Sequence, residues 1–233
     1  MAGHSKWAQI KRKKAVTDAK KGALFSKFAR AITLAARDNA DPATNGHLAD
    51  EIARARAANM PGESIERALR RVTEQDASAL QEMTVDIIGP GNAAVIVSAI
   101  TDNTNRTMGE IRRIAEKHGV RIGDRNSLAW MFRRVAEFRL PADEDRDALQ
   151  LAAIDAGADD VSVKDGELVI TAPAERADAV RAALGDRSSD SRLTLVPTVP
   201  ASLSSGQGTE LEALLDALDE QDDTQDVVTN AEY

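Results

Sequence analysis

The apolar pattern of this chain changes in kind near residue 83. Before that point apolar side chains recur at the spacing of amphipathic helices, as Phe25, Phe28 and Ile32 do. Beyond it come short runs rich in β-branched residues, first over 84–88 and then over 93–100, and such runs favour strands. The sequence therefore predicts a helical region followed by mixed α/β structure.

The helical region is expected to contain three helices. Periodicity places two of them at about 22–38 and 45–58, and a third begins where Pro61 suits a first helical position. We assign residues 18–80 to this helical domain. Residues 1–17 are too polar and too weakly periodic to pack by themselves, so we expect them to form a basic arm.

The next part of the chain predicts two strands joined by a tight turn at residues 89–92, Gly-Pro-Gly-Asn, because Gly and Asn accept positive φ angles. A helix at about 105–118 and a strand at 127–132 follow. A phosphate-binding loop is the weaker interpretation of the turn, since the turn opens no helix and no Lys-Ser or Lys-Thr pair follows it.

Residues 133–200 show a strand, a helix, a hairpin around Gly166, a second helix and a last strand, which is the βαββαβ order of ferredoxin-like domains. A helix at about 209–220 and a strand around 226–229 follow a stretch rich in Pro, Ser and Gly. An isolated helix and strand need a sheet to join, so we expect them to complete the domain begun before the ferredoxin-like unit. The alternative is a short appendage on that unit.

The expected fold class is therefore α+β with three domains. A helical N-terminal domain precedes two α/β domains, of which one is ferredoxin-like and inserted into the other. The predicted boundaries are 1–17 for the arm, 18–80 for the helical domain, 81–132 plus 201–233 for the discontinuous α/β domain, and 133–200 for the inserted domain.

Charge is segregated along the chain, whose formal net charge is −8. Residues 1–37 hold ten Lys or Arg against the single acid Asp18, whereas residues 201–233 hold nine acids and no Lys or Arg. Evenly spread negative charge would repel a polyanion, so any contact with phosphate must be made by the N-terminal end. The alternatives are a solvated tail and an arm that pairs with the acidic C-terminal residues.

We expect nucleic-acid contacts in the arm and on the basic face of the first helix, with Trp7 available to stack on a base. The cationic candidates are Lys6, Lys11, Arg12, Lys13, Lys14, Lys20, Lys21, Lys27 and Arg30. Seven aromatic residues in 233 are too few for a module that stacks successive bases. Contacts to the nucleic-acid backbone and shape are therefore favoured over the reading of single-stranded sequence.

The segment 101–107, Thr-Asp-Asn-Thr-Asn-Arg-Thr, places polar side chains between a strand and a helix. Helix capping explains this position, either by Asn103 or by Thr107 with Glu110 as a capping box. Capping does not require all of these polar groups together. The alternative interpretation is that Asn103, Asn105 and Arg106 also contact a partner.

No motif for catalysis or for binding a metal or cofactor stands out. The three His residues lack metal-ligand spacing, and neither G-x-S-x-G nor H-E-x-x-H occurs. We interpret the acids at 216–223 as a solvated helix face rather than a metal site.

The absence of Cys fits a reducing compartment, and no apolar run has the length of a membrane span. We expect a cytoplasmic, monomeric non-enzyme without cofactor, metal or membrane contact.

Several segments in combination resemble the YebC family of transcriptional regulators and translational activators. They lie at residues 1–7 (Met-Ala-Gly-His-Ser-Lys-Trp), 18–22, 57–61 (Ala-Ala-Asn-Met-Pro), 65–67, 89–91, 101–103, 105–107 and 228–230. The resemblance implies a three-domain protein without enzymatic activity. It also implies nucleic-acid contacts at Gly3, His4, Ser5, Lys6, Trp7 and the basic residues up to Lys21. The chain departs from the family pattern at 86–88, where members carry aromatic residues, and at Asn92, where they carry Gly.

Two functions are associated with this family: DNA-binding regulation of transcription, and a ribosome-associated role that relieves stalling, including at proline runs. We expect a nucleic-acid-binding regulator of gene expression that resembles the DNA-binding members of the family, although the sequence itself does not choose between duplex DNA and the ribosome. The alternative target is ribosomal RNA or the ribosome. A further alternative is a protein-only adaptor, and the acidic domains are the surface on which a protein partner is expected.

Overall fold

The computed structural model describes residues 18–73, 80–142, 145–164, 166–185 and 190–232. The α-helices are α1 (Asp18–Ala35), α2 (Gly46–Ala57), α3 (Gly62–Arg70), α4 (Thr104–Lys117), α5 (Arg146–Asp155), α6 (Ala177–Leu184) and α7 (Ser205–Asp219). The strands are β1 (Gln81–Ile88), β2 (Ala94–Thr101), β3 (Arg121–Ile122), β4 (Phe132–Pro141), β5 (Asp160–Lys164), β6 (Glu167–Pro173), β7 (Asp190–Pro197), β8 (Ala201–Ser202), β9 (Thr224–Thr229) and β10 (Ala231–Glu232).

The helical domain is built from α1, α2 and α3 around a core of aliphatic side chains. Ile32 and Leu48 are fully buried there, and Phe25 and Phe28 pack against the same cluster. Asn45 caps α2 by accepting a hydrogen bond from the Leu48 amide, and its Nδ2 donates to the carbonyl of Ala35. This side chain thus fixes the connection between α1 and α2. We had predicted Pro61 as the first helical residue of α3. It is instead the N-cap of that helix, one position earlier.

The second domain is a four-stranded sheet in the order β3-β1-β2-β9, covered on one face by α4 and α7. The predicted turn at 89–92 joins β1 to β2 and contains two left-handed residues, Gly91 with φ 62° and Asn92 with φ 61°. Because Asn tolerates this conformation, the departure from the family pattern at Asn92 leaves the turn intact. A Cβ atom at Gly91 would lie 2.5 Å from Leu203 Cδ2, so Leu203 would have to move to accept a side chain there.

The third domain is a four-stranded sheet in the order β5-β6-β4-β7 with every neighbouring pair antiparallel. Helices α5 and α6 pack on one face of this sheet over a core that includes Phe138, Leu168 and Ile170. The βαββαβ order with this strand arrangement is the ferredoxin-like fold that the sequence predicted.

The C-terminal helix and strand return to the second domain. Strand β9 pairs antiparallel with β2, with Val227 opposite Val97, and α7 contributes Leu211, Leu214 and Leu218 to the core under that sheet. A small parallel pair, β8 with β10, closes the connection. The predicted α+β fold class, with one domain inserted into the other, is confirmed, and the residue boundaries that we gave to the domains stay a prediction.

One predicted strand is wrong. Residues 127–132 do not form a strand, because a 3₁₀ turn spans Ala129–Met131 and β4 begins only at Phe132. The cause is Asp86, whose carboxylate accepts a hydrogen bond of 2.8 Å from the Leu128 amide and bends the segment away from extended structure.

The start of α7 also differs from the prediction. This helix begins earlier, at Ser205, because Ser204 and Gln207 form a capping box. Among the described residues, no helix has the length and apolar character that crossing a membrane requires.

Candidate nucleic-acid interface

The arm lies outside the described residues. This applies to the predicted contacts at Gly3, His4, Ser5, Lys6, Trp7, Lys11, Arg12, Lys13 and Lys14. Lys20 lies within the first turn of α1, which begins at Asp18, and the side chain of Lys21 is exposed. The described structure therefore shows the helix from which the arm extends.

The helical domain carries further exposed cations beyond those of α1. They are Arg56 near the end of α2 and Arg67, Arg70 and Arg71 at the end of α3. Arg70 lies 3.9 Å from Glu66, an exposed ion pair that contributes little to stability. These exposed cations add to those of the arm, while residues 18–80 as a whole hold ten Lys or Arg and nine acids.

Lys27 and Arg30, which we predicted as nucleic-acid contacts, face the C-terminal end of α7. Lys27 Nζ donates a hydrogen bond of 2.5 Å to the carbonyl of Asp219, and Arg30 Nη1 donates one of 2.5 Å to the carbonyl of Asp222. The C-terminal carbonyls of a helix carry partial negative charge and attract cations. In this structure both side chains hold the helical domain against the second domain.

Asp223 is the centre of this contact, which we call the Asp223 junction: Arg30, Arg106, Thr107 and Asp223. Its side chain is 3% exposed, and its carboxylate lies 3.3 Å from Arg30 Nη2 and 3.0 Å from Arg106 Nη2. The Thr107 hydroxyl donates to the same carboxylate at 2.6 Å. One buried carboxylate thereby joins α1 of the helical domain to α4 of the second domain.

In the Asp223 junction, the surroundings favour the charged forms of Asp223 and Arg106. Burial raises the pKa of the Asp223 carboxyl, but hydrogen bonds from Thr107 and Arg106 and the charge of Arg30 outweigh it, so the pKa lies below its ordinary value. The pKa of Arg106 is raised, first by its hydrogen bond to Asp223. Our interpretation of Asp223 as part of a solvated helix face was therefore wrong, since α7 ends at Asp219 and Asp223 is buried beyond it.

The polar segment before α4 has a structural role in this junction. Asn103 is the N-cap of α4 and accepts a hydrogen bond from the Arg106 amide, as one of our two capping interpretations proposed. The other was wrong: Thr107 lies inside the helix, and Glu110 accepts a hydrogen bond from Gln221 instead. Asn105 is exposed, so partner contact through this segment stays a prediction.

A second ionic contact joins the helical domain to the ferredoxin-like domain. Asp50 of α2 accepts hydrogen bonds of 2.5 Å from Arg181 Nη2 and 2.7 Å from the Ser191 hydroxyl. Burial raises the pKa of Asp50 above its ordinary value and outweighs the Ser191 hydrogen bond and the Arg181 charge, which lower it. The helical domain is thus fastened to both α/β domains by carboxylates, and sequence reasoning identified neither contact.

A crevice of about 330 Å³ lies where the three domains meet. Charged residues of both signs line it: Glu51, Arg54, Glu82, Arg134, Arg192 and Asp226. Such a mixture creates no uniform field for a phosphate chain. Within the described ranges, no group of three or more His, Cys, Asp or Glu is placed to hold a metal ion.

These features define a three-domain α+β protein whose helical domain, which follows the basic arm, is fastened by ionic contacts to two domains of net negative charge. The model of the TACO1/YebC protein N-terminal domain matches residues 5–75, and that of the TACO1/YebC second and third domain matches residues 80–231. The chain belongs to the TACO1/YebC family.

Curated relatives match over essentially their whole length. A protein of Thermoanaerobacter pseudethanolicus named probable transcriptional regulatory protein is 42% identical, with 100% of this chain and 97% of that protein covered. A protein of the same name from Moorella thermoacetica is 41% identical, with 100% and 96% covered. The crystal structure of a conserved hypothetical protein from Aquifex aeolicus has a TM-score of 0.86 at 35% identity, covering 97% of this chain and 96% of that one.

Proposed function

We propose that this protein is a non-enzymatic regulator of gene expression that binds nucleic acid through its arm and helical domain. The observation that carries the proposal is the segregation of charge: residues 1–37 hold ten cations and one acid, in a chain of net charge −8. Phosphate contacts supply most of the affinity of non-specific nucleic-acid binding. The names of the curated relatives, which describe transcriptional regulation, support the same conclusion.

The arm leads this interaction. We assign the phosphate contacts to Lys6, Lys11, Arg12, Lys13, Lys14, Lys20 and Lys21, with Gly3, His4, Ser5 and Trp7 beside them. Lys27 already donates to the carbonyl of Asp219, the last residue of α7, and Arg30 donates to the carbonyl of Asp222 in the turn that follows. Their first role is to hold the helical domain in place, so that the arm extends from a fixed base.

Duplex DNA is the first candidate target, because the relatives are named as transcriptional regulators. The ribosome is the second candidate, and the acidity of the C-terminal part favours it. Residues 201–233 hold nine acids and no Lys or Arg, and acids such as Glu220 and Asp222 are exposed. A basic arm that enters a crevice of folded RNA can keep these acids away from phosphate, whereas an open duplex offers less separation. Both targets place the protein in the cytoplasm, and neither requires a cofactor or a catalytic residue.

A matched pair of double variants tests the proposal. Lys13→Ala with Lys14→Ala removes two charges from the arm, and Arg146→Ala with Arg176→Ala removes two exposed charges from the third domain. Binding is measured by anisotropy with labelled duplex DNA and by co-sedimentation with ribosomes. We expect the arm variant to bind several-fold more weakly and the control to bind as the native protein does. Equal affinities for all three proteins would remove the arm from the interface.

Crosslinking followed by sequencing of the attached nucleic acid separates the two targets. Fragments of genomic DNA support the first candidate, and fragments of ribosomal RNA support the second. Association with a protein that survives nuclease treatment, without any crosslinked nucleic acid, would instead support the protein-only adaptor.

A further inference from the structure

Trp130 is the most exposed of the large apolar side chains in the described part of the chain, at 69%. It lies in the 3₁₀ turn Ala129–Met131, immediately before β4. Val199, 38% exposed, is held at the same end of β4 and β7, because the Thr198 amide donates to the Met131 carbonyl at 2.8 Å. Single exposed apolar side chains are ordinary in proteins, so the case for a site depends on how this loop is held and on the charge beside it.

Buried polar groups fix the shape of the loop that carries Trp130. The carboxylate of Asp86, a residue only 2% exposed, accepts a hydrogen bond from the Leu128 amide, and its carbonyl accepts one of 2.8 Å from the Gly123 amide. A Cβ atom at Gly123 would lie 2.9 Å from the Ser127 hydroxyl, so the loop is closely packed at this position. The loop 123–131 is thus pinned to β1, although its tip is exposed.

We call the exposed surface of Trp130 and Val199 the Trp130 platform. Its Val199 side is held by buried hydrogen bonds, as the Trp130 side is. Asn230, 1% exposed, donates from Nδ2 to the Val199 carbonyl at 2.8 Å and accepts at Oδ1 from the Ala94 amide at 2.8 Å. Burying a polar side chain is unfavourable unless its hydrogen bonds are made. Two such side chains, Asp86 and Asn230, therefore hold Trp130 and Val199 in position without covering them.

The charge around this platform is positive. Residues 121–134 contain four Arg and one acid, Asp124. Arg121 and Arg125 are exposed, whereas Arg133 pairs with Asp159 and Arg134 lines the crevice between the domains. Arg121 and Arg125 thus place two exposed guanidinium groups on the strand and loop that lead to the exposed indole, a combination that suits a nucleobase flanked by phosphates.

We propose that this loop is a second nucleic-acid contact, at which one unpaired base stacks on Trp130 while neighbouring phosphates pair with Arg121 and Arg125. The inference rests on the proposed function and adds the state of the nucleic acid: the base must be outside a duplex, because a paired base has its faces covered by its neighbours. The arginine excess favours this occupant over a protein surface. Unpaired bases of RNA and of DNA share the required chemistry.

Intrinsic fluorescence tests the inference directly. The chain has two Trp residues, so the signal of Trp130 is obtained by subtracting the emission change of Trp130→Phe, which retains Trp7, from that of the native protein. The probes are a mixed-sequence single-stranded RNA, the single-stranded DNA of the same sequence and the two corresponding duplexes. We expect quenching of Trp130 emission by one or both single strands and little quenching by the fully paired duplexes.

Affinity measurements complete the test. Trp130→Ala is expected to weaken single-strand binding by about five- to a hundredfold, and Trp130→Phe to restore most of the loss. Leu151→Ala is the control, because Leu151 is equally exposed, at 64%, in a different domain. A Trp130→Ala protein that keeps native affinity, or an emission unchanged by every probe, overturns the inference.

The arm variant distinguishes failure of this inference from failure of the proposed function. If Lys13→Ala with Lys14→Ala weakens binding while Trp130→Ala does not, the arm binds nucleic acid and the platform does not. If the native protein binds none of the probes and no ribosomes, the proposed function fails and the platform fails with it. A protein that alters Trp130 emission when the nucleic acids do not also overturns the inference.

Discussion

Arg30 and Asp223 form an ion pair, 3.3 Å between Nη2 and Oδ1, that joins the first helix to the turn before β9. Because Asp223 also accepts from Arg106 and Thr107, this pair connects the helical domain to the core of the second domain. Asp50 makes the corresponding contact to the third domain through Arg181 and Ser191. The domain that carries the basic arm is therefore fixed to the acidic remainder of the protein.

Asp223→Ala is expected to lower the free energy of unfolding by about 2 kcal/mol. The substitution leaves Thr107 and two guanidinium groups without their buried acceptor, and the loss of such an acceptor costs about 1–3 kcal/mol for each buried group left unsatisfied. Partial exposure of Arg30 and Arg106 limits the cost, because water can replace the carboxylate there. Urea unfolding followed by circular dichroism measures the change.

Asp222→Ala is the matched control for this prediction. Asp222 is exposed and bonds to Arg30 through its carbonyl, which the substitution keeps. Its effect is expected within about 0.5 kcal/mol. Similar losses for the two variants would show that Asp223 does not have the central role described above.

A double-mutant cycle on Arg30 and Asp223, with each changed to Ala, is expected to give a coupling energy of about 1 kcal/mol. The Asp223 side chain is 3% exposed, so solvent screens its attraction to Arg30 weakly. Arg37 and Asp38 provide the comparison, since they lie 3.9 Å apart with side chains 49% and 94% exposed. That cycle should give a coupling near zero; equal coupling in both cycles would contradict the junction.

The contributions of Asp223 and Asp50 to the free energy of unfolding depend on pH in opposite directions. The pKa of Asp223 is lowered from 3.8, so its contribution to stability is present above pH 3.8 and is lost as the pH falls through the pKa of the folded protein. The pKa of Asp50 is raised from 3.8, so the folded protein holds that proton more tightly, and stability is lost as the pH rises from 3.8 through the raised value.

Unfolding of the native protein, Asp223→Asn and Asp50→Asn at a series of pH values tests these signs. The deficit of Asp223→Asn relative to the native protein should shrink as the pH falls below about 3.8. Asp50→Asn should gain on the native protein as the pH rises above that value. Curves for the variants that run parallel to the native curve would contradict both assignments.

Asp86→Ala is expected to loosen the loop 123–131. The Leu128 amide loses its acceptor, so its hydrogen exchange should accelerate markedly, and the protein should lose about 1–3 kcal/mol of stability. Asp124→Ala, an exposed acid in the same loop, is the control and should leave exchange at Leu128 unchanged. An unaltered rate in Asp86→Ala would mean that other contacts shape the loop.

The fold was predictable where a local pattern determines it. The spacing of Phe25, Phe28 and Ile32 identifies α1, because only a helix places these side chains on one face. The pair Gly91 and Asn92 identifies the hairpin turn, because both residues accept positive φ. The βαββαβ order identified the ferredoxin-like domain because each of its elements is long enough to carry its own periodicity.

The contacts between domains were not predictable in this way. Nothing in the sequence around Asp223 separates it from the exposed acids beside it, since its partners Arg30 and Arg106 are distant in sequence. The wrong strand at 127–132 has the same origin, because the apolar residues there fit a strand until Asp86 captures the Leu128 amide. Trp130 lies in the turn that follows Leu128, and its exposure of 69% is a property of the folded loop that the local sequence does not indicate.

The salt dependence of nucleic-acid binding shows whether cations of the arm bind phosphate in a protein of net charge −8. If six to ten phosphates are neutralised, affinity for duplex DNA should fall by about 10³- to 10⁵-fold between about 50 and 200 mM salt. A variant with Lys11, Arg12, Lys13 and Lys14 all changed to Ala should show a slope of log affinity against log salt that is shallower by about three to four. A flat slope for the native protein, or the same slope for both proteins on DNA and on ribosomes, would contradict the account.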